Sequence, residues 1–202
     1  MDPSLTVSLS PWQTAVSGLD ALSHSIEGYW SNRATSVTDA HAAASAKMML
    51  SGLAKAHANP QDLEIRRSVM EGSMLAGLTI SNARTTAVHA ISYPMTVYHH
   101  VPHGLACGLL LPSVIRYNSG SMDPDKERRL LDHLELGSMD ELADSVESTR
   151  HEMGVPQRLG DAGMSREDIA TIVKNGFRPD RMSNNPREIT AAGLTSILEE
   201  IL

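Results

Sequence analysis

Cysteine is nearly missing from this sequence. Cys107 is its one thiol, so no internal disulfide can form, and the chain suits a reducing compartment, for which we expect the cytoplasm. Aromatic residues are scarce, with two Trp, four Tyr and one Phe in 202 residues. That disfavours a sheet sandwich, whose strands draw on Val, Ile, Tyr and Phe. The 11 Met and many Ala favour close packing of helices instead. Positive charge is in deficit, since 17 Lys and Arg against 24 Asp and Glu leave a formal net charge of −7. A nucleic-acid binder needs a basic face to displace counterions from phosphates, so no such partner is expected. Long hydrophobic runs are absent too. The longest, Leu105 to Leu111 with Gly108 inside it, is far short of the ~20 residues of a membrane span. Asp2-Pro3 directly after Met1 predicts no secretory leader.

What is present is an apolar share of 41%, enough for a real core. Helix signals run from end to end. Ser10-Pro11-Trp12-Gln13 reads as N-cap, N1 proline and capping box, opening a helix to about Trp30 that Ser31-Asn32 ends. Thr38-Asp39 begins an Ala-rich helix to about Ala58. Asn59-Pro60-Gln61-Asp62 starts a third, with Leu63, Val69, Met70, Met74, Leu75 and Leu78 as its expected core stripe. A fourth covers Thr86 to about Tyr98, bent or broken at Pro94. Another apolar stretch follows Pro102-His103-Gly104 and reaches Asn118. The charged segment Asp123–Leu136 leads to a helix capped by Ser138 and ended by Gly154, then to one from Ser165 to Gly176. Arg178–Glu188 reads as loop, and Thr190 caps a last helix. The expectation is a single all-α domain over residues 1–202, a bundle of about eight helices.

Asp20 and His24 lie four residues apart, which puts both on one face of the first helix. Alone, such a pair is usually an ordinary ion pair. Four of the nine histidines, His89, His99, His100 and His103, then fall within fifteen residues. His89 lies in an apolar neighbourhood, where an unpartnered imidazole is costly. One Asp and three His suit a divalent transition ion such as Fe(II) or Zn(II). Spacing alone does not say which histidines bind.

Two longer motifs carry a resemblance. Asp2-Pro3-Ser4-Leu5-Thr6 with Gly18-Leu19-Asp20-Ala21-Leu22-Ser23-His24-Ser25-Ile26-Glu27-Gly28-Tyr29, and His89 followed fourteen residues later by Pro102-His103-Gly104, resemble signatures of the iron-containing (group III) alcohol dehydrogenases. The resemblance implies the C-terminal helical domain of that family, which is like that of dehydroquinate synthase. It places the metal ligands at Asp20, His24, His89 and His103. It implies an NAD(P)-dependent oxidoreductase whose metal polarises the oxygen of a small alcohol or aldehyde. Many members carry a histidine where this chain has Tyr93, whose unperturbed pKa near ~10 makes it a poorer base at neutral pH. Glu27 we expect to be a surface salt-bridge residue rather than one that orients a ligand, and His99 and His100 to lie on the surface rather than to line the pocket. Family members place a nucleotide-binding domain ahead of the Asp-Pro-x-Leu-Thr boundary. The fourteen glycines here never assemble into a phosphate-binding turn, so we expect that domain to be absent and isolated turnover to be lacking. Apolar surface it would have covered predicts a homo-oligomer. Two other classes compete: a helical interaction domain without catalysis, and a polyol-dehydrogenase or dehydroquinate-synthase-like metal enzyme.

Overall fold

Most helices begin where the sequence supplies an oxygen for the first free backbone donors. The computed structural model describes residues 1–177 and 182–202, and every regular element among them is helical. They are α1 (Pro11–Trp30), α2 (Ser36–Ala58), α3 (Leu63–Ala83), α4 (Ala87–His99), α5 (His103–Asn118), α6 (Pro124–Leu134), α7 (Met139–Glu152), α8 (Arg166–Gly176) and α9 (Ala191–Glu200), with short 3-10 turns at Pro3–Thr6 and Gly160–Ala162. Nine α-helices among the described residues make one more than the expected eight. The Ser10 hydroxyl accepts from the Gln13 amide at 3.1 Å, and Asp62, Asp123, Ser138 and Thr190 cap α3, α6, α7 and α9 in the same way. Ser165 and Asp168 close a capping box on α8. The box on α2 is built by Thr35 and Thr38, so Thr38 is its third residue and not its start. Of the expected loop at 178–188, positions 178–181 lie outside the described residues, and 183–188 turn and bend without regular structure. Pro94 is accommodated inside α4 and does not break it.

The core is built around α5, whose run from Gly104 to Ile115 is buried on all sides. Around it pack α1, α4, α7 and α9, while α2 and α3 cover the outer face of α1. No helix is long and apolar enough to cross a membrane.

The expected core stripe of α3 is overturned. Leu63, Met74 and Leu78 are 45%, 44% and 45% exposed, and Val69, Met70 and Leu75 are only partly buried. The inward face is instead Arg66, Gly72, Ala76, Thr79 and Ala83. Its partner decides this. A Cβ on Gly72 would lie 3.0 Å from the Met49 sulfur, and Ser45 donates to the Gly72 carbonyl at 2.6 Å, so only small residues fit where α3 meets α2. The larger side chains are displaced outward.

Close approach also sets the site. A Cβ on Gly104 would stand 1.9 Å from the Val16 carbonyl oxygen and 3.0 Å from Asp20 Cβ. Only glycine lets the start of α5 lie directly on α1, and that contact carries His103 to Asp20.

Candidate metal centre

Two helix starts, those of α4 and α5, have no side-chain cap of their own. Both face the middle of α1. From there Asp20 and His24 project one turn apart, His89 comes from the first turn of α4, and His103 is the first residue of α5. The four residues meet at one oxygen. Asp20 Oδ1 lies 3.3 Å from His89 Nε2, 3.5 Å from His103 Nε2 and 3.9 Å from His24 Nε2. The His24 and His89 rings stack with centroids 4.4 Å apart, and His103 meets His89 edge-on at 5.3 Å.

Asp20 Oδ1 and His89 Nε2 are buried, and neither has a hydrogen-bond partner. Burying such atoms unpaired costs a few kcal/mol each. Carboxylate and imidazole donors converging on a point where two of them are unsatisfied form a donor set that fits a divalent transition ion.

Glu27 corrects the expectation of a surface ion pair: it is fully buried. Its Oε2 meets His89 Nδ1 in a very short contact. Its Oε1 accepts from the Thr86 amide at 3.1 Å, the Thr86 hydroxyl at 2.6 Å and the Val88 amide at 2.8 Å. Glu27 therefore supplies the cap that α4 lacks. An ionised carboxylate only accepts, so Nδ1 of a neutral His89 keeps the proton and Nε2 presents its lone pair toward Asp20. A carboxylate on α1 looks the same in sequence whether it is solvated or buried, so only the fold reveals this role.

Burial pushes the Glu27 carboxyl up, but the charge of His89 and the hydrogen bonds from His89, Thr86 and Val88 outweigh it and hold the group below the usual carboxylate range. Asp20 is lowered in the same way, burial being overcome by the His89 imidazole 3.3 Å away and by the charges of His24, His89 and His103. His24 is pulled down to about 4, first by burial and then by the charge of His89, so it is a neutral donor at physiological pH. His89 is raised: burial opposes its protonation, and the negative charges of Cys107 and Glu27, with the Asp20 carboxylate 3.3 Å away, prevail. The field at this point favours positive charge, and a divalent cation would take that place in exchange for a proton.

Cys107 stands one turn beyond His103, a four-residue spacing that puts both on one face of α5. Its sulfur lies 3.8 Å from His103 Nε2, and single donor atoms of Asp20, His89, His103 and Cys107 all lie within 4.8 Å of one another. A cavity of about 690 Å³ opens over the centre, lined by Asp20, His24, His89 and His103, with Tyr93, Arg33, Arg84 and Asn184 among its other walls. Cys107 is fully buried and is not part of that lining. Tyr93, which stands where many family members carry a histidine, stacks on His103 with ring centroids 5.3 Å apart. His99 departs from the expected surface position. It is largely buried, with Nδ1 3.6 Å from Asp168 of α8, while His100 is exposed and ends α4 in a left-handed conformation.

The chain matches the family model described as Fe-containing alcohol dehydrogenase family, C-terminal, over residues 14–202. It is 32% identical to long-chain-alcohol dehydrogenase 1 of Geobacillus thermodenitrificans, over 98% of this chain and 52% of that protein. Sulfoacetaldehyde reductase of Bilophila wadsworthia is 30% identical over 98% of this chain and 54% of its own length. Among solved structures, sulfoacetaldehyde reductase from Bifidobacterium kashiwanohense in complex with NAD+ superposes with a TM-score of 0.93 at 34% identity, over 99% of this chain and 53% of that one. A 1,3-propanediol oxidoreductase gives 0.91 at 28% identity, over 100% of this chain and 55% of that one. The chain thus spans about half the length of the curated relatives it matches. Helical architecture, matched span and relatives agree: the chain belongs to the iron-containing alcohol dehydrogenase family and corresponds to its C-terminal region.

Proposed function

We propose that this chain is the metal-binding half of an NAD(P)-dependent alcohol dehydrogenase or aldehyde reductase, with Asp20, His24, His89 and His103 as ligands of one Fe(II) or Zn(II). The observation that carries the reading is the gathering of three imidazole Nε2 atoms within 3.9 Å of one buried carboxylate oxygen at the floor of a cavity. Cys107 is left out of the ligand set because it is fully buried and does not line the cavity. A helical interaction domain would have no reason to keep two buried polar atoms facing each other unpaired.

When bound, the ion supplies Lewis-acid polarisation of the alcohol or aldehyde oxygen, while the nicotinamide supplies or accepts the hydride. The residues of this chain prepare that event. Asp20 contributes the negative charge of the donor set. Glu27 fixes the tautomer and orientation of His89. Tyr93, half exposed on the cavity wall, offers a hydroxyl that can donate to or accept from a substrate oxygen. The described residues contain no strand and no glycine-rich phosphate turn, so we expect these 202 residues by themselves to bind metal without oxidising NAD(P)H. Elemental analysis of protein purified without added metal or chelator tests the centre. About one transition ion per chain is expected, falling to background in Asp20→Ala and His89→Ala. Equal metal content in all three proteins would refute the proposal.

A further inference from the structure

Arg33, in the turn after α1, and Arg84, in the turn after α3, line the same cavity as Asp20, His24, His89 and His103. In a chain of net charge −7, neither guanidinium has an ion-pair or hydrogen-bond partner among the described residues. Their backbones, in contrast, are tightly held. The buried Ser31 hydroxyl donates to the Ala83 carbonyl at 2.6 Å and accepts from the Arg33 amide at 3.1 Å, so one oxygen joins the two turns. Buried Asn184 brackets Arg84, donating to the carbonyls of Ala83 at 3.0 Å and Thr85 at 3.2 Å, and its own carbonyl accepts from the Asn32 amide at 3.0 Å. Arg84 itself is held at φ 63° and ψ 169°, a region otherwise reserved for glycine. Surrounding structure over-determines that backbone and aims an unpaired cation at the cavity. The Trp30 indole, next to Ser31, donates to the Thr86 hydroxyl at 2.9 Å, which donates in turn to Glu27, so the arginine turns and the support of His89 form one connected network.

The geometry points to Arg33 and Arg84 as a clamp for a substrate with two ends: a hydroxyl or aldehyde at the Asp20/His24/His89/His103 floor, and a compact terminal oxyanion, such as sulfonate, phosphonate or carboxylate, at the two guanidiniums. This rests on the metal-centre reading above for the first end only. About 690 Å³ is more room than a two-carbon alcohol needs. An apolar tail would meet little beyond Ile80 on these walls, whereas an oxyanion would meet two charge-assisted donors.

The test loads the chain with Co(II) and compares binding of hydroxyethanesulfonate, its neutral tert-butyl isostere and ADP-ribose by calorimetry and by the visible cobalt spectrum. Hydroxyethanesulfonate is expected to bind about tenfold or more tighter than the isostere, with a preference that shrinks as salt is raised. Arg84→Gln and Arg33→Gln should each remove most of that preference while leaving cobalt content, melting temperature and isostere affinity unchanged. Equal affinity for the two alcohols, or a preference that survives both substitutions, would overturn the clamp. So would arginine dependence seen with ADP-ribose alone, which would make the pair a cofactor phosphate contact. Failure to take up cobalt would count against the metal centre instead. Calorimetry of the metal-free chain would then still decide the clamp, since arginine-dependent sulfonate heat supports it and its absence overturns it.

Discussion

Glu27→Gln separates the two tasks of one carboxylate. Oε1 accepts three hydrogen bonds at the start of α4, and an amide oxygen can keep them. At the other end a carboxylate oxygen becomes an amide that donates toward His89 Nδ1. His89 must then accept at Nδ1 and carry its proton on Nε2, the atom that faces Asp20 at 3.3 Å. The protonated nitrogen cannot ligate. Losing a partner behind a metal-binding histidine typically lowers affinity ~10–100-fold, or about 1.4–2.8 kcal/mol. Glu27→Ala should act differently, stranding three buried donors at about 1–3 kcal/mol each and so costing roughly 3–5 kcal/mol or more of fold stability. The assay is chelator competition for Co(II) affinity alongside urea unfolding of the metal-free protein. The expected result is a weak-binding, stable Gln variant and a destabilised Ala variant. A Gln variant that binds cobalt as tightly as the parent would refute the tautomer argument.

Further outcomes follow from the same geometry. His24 protonates near 6.5 when unfolded and at about 4 when folded, so its contribution is full above pH 6.5 and is lost as pH falls toward 4. The difference is worth about 3 kcal/mol at ~1.36 kcal/mol per pH unit, and unfolding of the metal-free His24→Gln variant should show a flatter pH profile across that window. Gly104→Ala would press a methyl onto the Val16 carbonyl, costing about 3 kcal/mol or more and abolishing metal uptake. Gly77→Ala meets nothing within 4 Å and should stabilise α3 by about 0.5–1 kcal/mol, as read by thermal unfolding. Cys107→Ser should leave metal content intact, and the cobalt spectrum of the parent should lack a thiolate charge-transfer band; a band lost in the variant would put Cys107 in the ligand set.

Helix starts were legible because a cap and its donor lie within three residues, as at Ser10, Asp62 and Ser138. The ligand candidates were legible because Asp20 and His24 share a helix face and because His89 and His103 stand in family motifs. What stayed hidden depended on a distant partner. The inward face of α3 was chosen by the Met49 and Ser45 surface of α2. Glu27 was drawn inside by Thr86 and Val88, some sixty positions away. Arg33 and Arg84 became neighbours only through Ser31 and Asn184, which no local pattern joins.

The contact of α5 on α1 at Gly104 is between main chains, so the gap that separates Asp20 from His103 is measured by peptide geometry and not by adaptable side chains. Core substitutions elsewhere can then accumulate while the ruler between the two donors keeps its length.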